Sequence, residues 1–210
     1  MEVCKVRSKV TRVLRITAVL AVFGSSGSLA ATAWNESVQG DLSNDRLNPT
    51  AIAFTSGSNQ MVGAAGNAGS GVDRDYFKIT VAPGQELSSI TPLVGTTVSG
   101  SVSFIAVQAG PQVTADPSGA GSQALLGWTH YGPGNINEDI LPAIWLGGPL
   151  PAGTYAFWIQ DTAGPVTYAF DFKITPVQLS NAADAPLPLW AVVVLGAGLL
   201  GLASRRMRAP

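Results

Sequence analysis

Between Asp75 and Val81 apolar and polar residues alternate, with Phe77, Ile79 and Val81 on one side and Lys78 and Thr80 on the other. That is the period of a strand buried on one face, and the turn Ala82-Pro83-Gly84 ends it. The same period returns in Thr154 to Gln160, where Tyr155, Phe157 and Ile159 face inward after the turn Pro151-Ala152-Gly153. It returns again in Val166 to Ile174, with Val166, Tyr168, Phe170, Phe172 and Ile174 inward and Thr167, Asp171 and Lys173 outward. The short connection Asp161 to Pro165 predicts a hairpin between these two segments. Ser101 to Val107 is apolar on both sides and predicts a central strand. Thr50 to Phe54, Glu86 to Val94 and Gln123 to Thr129 are weaker strand segments, and the small, glycine-rich stretch Gly63 to Gly71 predicts a flexible loop. With seven or eight strands and no helical stripe, the middle of the chain is expected to be an all-β, antiparallel β-sandwich.

The two ends follow different patterns. Lys5, Arg7, Lys9, Arg12 and Arg15 precede an uncharged apolar run from Ile16 to Phe23, and small residues lead to Ala31-Thr32-Ala33. A basic block, a short apolar core and an A-x-A site are the parts of a secretory signal peptide, and cleavage is expected after Ala33. The apolar run is shorter than the ~20 residues a membrane-spanning helix needs. An uncleaved N-terminal anchor is the alternative. At the other end Asp184 is followed by 20 uncharged residues, 185 to 204, and then Arg205, Arg206 and Arg208. A helix starting near Pro188 would be about 25 Å long, close to the hydrocarbon thickness of a bilayer. Trp190 suits its interface, and the arginines are expected to stay on the cytoplasmic side. The expected organisation is a signal peptide (1–33), a β-sandwich (34–178), a linker (179–185) and a membrane-inserting tail (186–210). The bulk of the chain is thus expected to lie outside the cytoplasm, tethered to the membrane it crosses at least transiently.

Setting the ends aside changes the charge. Residues 34 to 185 keep only Arg46, Arg74, Lys78 and Lys173 against twelve carboxylates, a net charge of −8. Such a module repels nucleic acid and anionic membranes, so no nucleic-acid partner is expected. The single cysteine, Cys4, lies in the expected signal peptide, so the sandwich has no disulfide and must rest on its core.

No catalytic constellation stands out in the middle of the chain. His130 is the only histidine, and no G-x-S-x-G nucleophile elbow occurs between residues 34 and 185. Enzymatic activity is therefore not expected. Asp73 and Asp75 are two apart on an extended segment and so share a side, where both could meet a hard cation such as calcium. A full set of oxygen ligands would need Asp41, Asp45, Glu138 or Asp139 to converge on them. The alternative is a solvated turn whose aspartates cap backbone N–H groups. Trp158 falls on the outward face of its strand, and with Trp128 and Tyr131 it could stack on the sugar rings of an extracellular polysaccharide. Alternatively, Trp158 packs beneath the segment Gly110 to Asn137.

The tail, with Ala185-Pro186-Leu187-Pro188, an apolar stretch and the arginine cluster, resembles the PEP-CTERM type of C-terminal sorting signal. That resemblance implies an exosortase-type processing enzyme as partner, with Pro186, Leu187, Pro188, Arg205, Arg206 and Arg208 as the signal. The motif here lacks the glutamate of the commonest form, and a plain anchor that is never cut is the alternative. The segments 73–87, 150–160 and 166–174 together are similar to bacterial pre-peptidase C-terminal (PPC-like) domains. This resemblance implies a jelly-roll-like extracellular sandwich, sometimes calcium-binding, used for adhesion, binding or structure. The implied function is a non-enzymatic surface or matrix protein; the alternative is a calcium- or carbohydrate-binding accessory module for secreted enzymes.

Overall fold

A computed structural model describes residues 30–69, 71–99 and 103–177. Its elements are β1 (Ala31–Asn35), α1 (Glu36–Gln39), β2 (Thr50–Ala51), β3 (Gly57–Asn67), β4 (Val72–Val81) and β5 (Gln85–Pro92), followed by β6 (Phe104–Ala109), β7 (Gly127–His130), α2 (Leu141–Ile144), β8 (Gly153–Gln160) and β9 (Val166–Pro176). The all-β expectation holds, and both α-helices are single turns. No helix among the described residues is long and apolar enough to cross a membrane. The expected span, the residues Pro186, Leu187 and Pro188 and the three terminal arginines lie outside the described residues. So does most of the expected signal peptide. Ala31 and Ala33 are in β1, which runs parallel to β3, so the expected cleavage point falls inside a paired strand.

The strands pair in the order β5-β9-β3-β4-β8-β6-β7, with β1 beside β3 and β2 beside β4. All pairings are antiparallel except those two parallel additions. The β3–β4 contact is only the hairpin tip, Gly66 opposite Asp73 and Asn67 opposite Val72. There the sheet turns on itself, and its halves face each other in a β-sandwich-like arrangement. Period-2 alternation sends Phe77, Ile79, Val81, Phe157 and Ile159 from one half against Met61, Leu87, Ile90, Phe170 and Phe172 from the other. Phe77 stacks on Phe157 at 4.8 Å between ring centroids, and both meet the edge of Phe172 at 5.6 and 5.5 Å. Each such ring contributes about 1.5–3 kcal/mol by leaving water, so this triple contact ties the two halves together.

The back of the β4-β8-β6 half is also covered. Tyr76, Ala106, Ala156 and Trp158 form a second cluster under Val113 and Ala115 of the long β6–β7 connection. This explains why Phe104–Ala109 reads as apolar on both faces.

Two expectations are corrected. Val166–Pro176 does not form a hairpin with Gly153–Gln160: β8 pairs with β4 and β6, whereas β9 pairs with β3 and β5. The link between them is an arch from one half to the other, built by Asp161. Its carboxylate accepts from the backbone N–H of Ala163 (2.8 Å) and Ser99 (3.0 Å) and from the Ser103 hydroxyl. Burial opposes ionisation of Asp161, but these hydrogen bonds, led by Ser103 and Ser99, outweigh it and hold its pKa below the usual carboxylate range. A depressed pKa stabilises the fold above about pH 4, the unfolded value, and that contribution is lost as pH falls through the folded one. Asp161→Ala is accordingly expected to cost about 2–3 kcal/mol at pH 7 and progressively less towards pH 2, read by urea melts.

The second correction is Gly63 to Gly71. It is not a loop: its first half belongs to the eleven-residue β3. Glycine at 63 serves close approach rather than flexibility, because a Cβ there would sit 2.3 Å from the Tyr168 hydroxyl and 2.6 Å from Glu36 Cδ.

Candidate metal centre

Asp75 shares the inward parity of β4 with Phe77, Ile79 and Val81, one place beyond the apolar residues. It is fully buried, and neither of its carboxylate oxygens has a hydrogen-bond partner among the described residues. A buried carboxylate normally has several donors; leaving one without any costs several kcal/mol. What faces it is more negative charge. One oxygen each of Glu36, Asp41 and Asp75 lie within 4.8 Å of one another.

Each partner is held there by local structure. Asn35 caps α1 by accepting the Ser37 N–H at 3.0 Å, which places Glu36 at the first helical position. From there Glu36 reaches across to β3 and β9. Its Oε2 accepts the Ala64 N–H at 2.7 Å and its Oε1 the Tyr168 hydroxyl at 3.0 Å. Tyr168 has one proton for two carboxylates: it is donated to Glu36, while the same hydroxyl lies near enough to Asp75 to oppose part of its pKa rise, so it cannot satisfy both. Gly40, at a positive φ of 91° that favours glycine, ends the helix with its N–H on the Glu36 carbonyl and delivers Asp41 to the exposed mouth of the cluster. The absent side chain at Gly63 makes room for both Tyr168 and Glu36.

The electrostatics agree. Burial first, then the neighbouring charges of Glu36 and Asp73, pushes the Asp75 carboxyl up to about 9. Glu36 and Asp73 are also raised, chiefly by burial and further by Asp41. No basic side chain among the described residues offsets any of these three shifts. An uncompensated group of acidic oxygens is the donor set of a hard cation, which takes six to eight oxygens in flexible geometry when it is calcium. The residues fit the ion: Glu36, Asp41 and Asp75 would hold it, and water would complete the shell. Its chemistry there is charge neutralisation.

Of the sequence expectations, Asp75 and Asp41 are brought together and Asp73 stands beside them, half-buried and in long contact with the Asn44 amide at 3.5 Å. Asp45 caps its own turn through the Leu47 N–H, and Asp139 pins the chain before α2 through Ile90 and Leu141, so neither joins. Glu36 is not marked as a ligand by sequence pattern, because it sits in a polar, turn-rich stretch far from Asp75 in sequence. The available signal was Asn35-Glu36-Ser37, a helix-capping pattern that fixes the glutamate's direction. Gly63→Ala is expected to displace Tyr168 and Glu36, costing about 1–3 kcal/mol by overpacking and weakening any calcium-dependent rise in melting temperature.

The aromatic expectations divide. Trp158 is buried beneath the β6–β7 connection, and Tyr131 is buried in the main core against Phe170, with centroids 5.0 Å apart. Tyr131 is therefore corrected: one residue past the end of β7 it turns into the core, whereas Trp128 on β7 is 54% exposed. Comparison with protein-family models, curated proteins and solved structures gives no match for this chain.

Proposed function

We propose that this chain is a non-enzymatic, exported surface or matrix module whose fold is closed by one calcium ion between Glu36, Asp41 and Asp75. The observation that carries the cation is the Asp75 carboxylate, fully buried, partnerless and facing two further carboxylates. The site joins the N-terminal segment to both halves of the sheet, since Glu36 is in α1, Asp75 in β4, and the Glu36 partners Ala64 and Tyr168 in β3 and β9. Calcium would thus act as a staple in a protein whose sandwich has no disulfide. Extracellular fluids supply calcium at concentrations that satisfy even weak sites of this kind, about 10⁻⁴–10⁻³ M.

Export and tethering rest on the sequence patterns at the ends: a signal peptide cut after Ala33, and a PEP-CTERM-like tail, Pro186 to Arg208, inserted in the inner membrane and processed by an exosortase-type enzyme. A PPC-like, jelly-roll-like domain agrees with the sandwich-like all-β arrangement and with an acidic surface.

Two measurements test this reading. Thermal melting of the purified protein at increasing calcium is expected to raise Tm by about 5–10 °C at saturation, the equivalent of ~2.7 kcal/mol at a hundred times Kd. An unchanged Tm at millimolar calcium removes the site. Cell fractionation with sequencing of both mature termini is expected to find Trp34 first and the protein outside the cytosol; a full-length cytosolic chain contradicts export.

A further inference from the structure

A groove of about 370 Å³ opens over the back of the β8-β6-β7 half, on the opposite face of the sheet from the inward-facing Asp75. That is within the size range of small-ligand sites. Its most exposed large side chain is Trp128, yet this indole is not loose. It stands edge-on to Phe104 at 6.2 Å and to His130 at 5.3 Å, with interplanar angles of 68° and 83°. Phe104 is itself set against the buried Trp158 at 4.9 Å and 71°. The result is an indole held by aromatic edges while more than half of its surface meets solvent.

Hydrogen-bonding groups of fixed polarity surround it. Gln160, at the floor, is more than nine-tenths buried. Its Oε1 accepts from Arg74 Nε at 2.8 Å, which orients the amide and leaves the NH₂ without an acceptor among the described residues. His130 Nδ1 is 2.9 Å from the Ser103 carbonyl, which can only accept, so Nδ1 carries the proton and in the neutral ring Nε2 is left as an acceptor. The Trp158 Nε1–H, also at the floor, has no acceptor among the described residues. Charge adds little, because the groove's carboxylate, Asp116, is paired with Arg46 at 3.2 Å.

A planar apolar platform beside oriented donors and one oriented acceptor, in a groove without free charge, matches a specific ligand chemistry. A pyranose with equatorial hydroxyls has an apolar C–H face and a rim of hydroxyls, each both donor and acceptor. We infer that this groove binds a neutral, gluco-configured pyranoside, as part of an extracellular polysaccharide, with one ring stacked on Trp128 and its hydroxyls met by Gln160 and His130. The stacked ring replaces water on the indole. Trp158 supports the platform from below and does not touch the sugar.

The test uses the full-length chain in detergent, titrated with cellohexaose, laminarihexaose and, as a charged comparator, hexagalacturonate, with tryptophan fluorescence and calorimetry as readouts. Saturable binding of at least one neutral glucan is expected, at least tenfold weaker with Trp128→Ala and largely kept with Trp128→Phe, both variants melting within about 2 °C of the parent. Equal glucan binding by Trp128→Ala overturns the inference, as does the absence of binding to either neutral glucan at about 10 mM. Preference for the charged comparator, or for a proline-rich peptide offered in parallel, also overturns it.

Discussion

Replacing Asp75 by asparagine is expected to make the calcium-free protein more stable, by about 4 kcal/mol at pH 7. The substitution keeps the shape and is neutral in both states, whereas Asp75, ionised in the unfolded chain at pH 7, must take up a proton to be buried among Glu36 and Asp41. The magnitude follows from the raised pKa: with a folded value of about 9, folding at pH 7 opposes roughly three units of ionisation, each worth ~1.4 kcal/mol. The sign is the reverse of the usual aspartate. A raised folded pKa leaves the contribution complete below about pH 4 and erodes it as pH climbs towards 9. The difference between Asp75→Asn and the parent, both in chelator, should therefore be small at pH 4 and largest near pH 9. With calcium present the order at pH 7 should narrow or invert, because only the parent gains from the ion. Urea melts of both proteins across this pH range, with and without calcium, check the prediction. A variant less stable than the parent in chelator would mean that Asp75 has a donor of its own.

The second large effect is at the centre of the core. Phe172→Ala should cost about 3–5 kcal/mol, the range for emptying a large aromatic site. Phe172 contacts Phe54 at 5.2 Å as well as the stacked pair Phe77 and Phe157, so no single neighbour can refill the space. Its neighbour Lys173 points outward on the same strand, and Lys173→Ala should stay within about 0.5 kcal/mol. Similar losses for the two would contradict the alternation from which the fold is built.

That alternation was the legible part of the molecule. In Asp75 to Val81, Thr154 to Gln160 and Val166 to Ile174, the period of two named both the strands and their inward residues, because one face of each meets a single continuous core. What pairs with what was not legible. Asp161 to Pro165 has the length of a hairpin connection, and only the buried partners of the Asp161 carboxylate, Ser99 and Ser103, turn it into an arch. Gly63 to Gly66 looked flexible because glycine and alanine carry no pattern of their own. Their smallness answers to Tyr168, Glu36 and the Gly164 backbone, all remote in sequence.

The site was half legible for the same reason. Two aspartates two apart on one strand, Asp73 and Asp75, are visible as a same-side pair. Which of them is buried depends on where the apolar register of β4 meets the helix carrying Glu36, and that is a tertiary fact. Trp158 and Trp128 show the complementary limit. Both lie on strands with an outward parity, but only the β6–β7 connection decides which is covered, and it covers Trp158.

Terbium luminescence offers the most direct measurement of the cation site. Tb³⁺ takes the same oxygen donors as calcium, and the Tyr168 hydroxyl, bonded to Glu36, places an aromatic antenna beside the ion. Excitation of the protein should give sensitised terbium emission that calcium displaces and that Asp75→Asn abolishes. Emission that is absent, or that survives unchanged in the Asp75 variant, would mean that Glu36, Asp41 and Asp75 hold no ion.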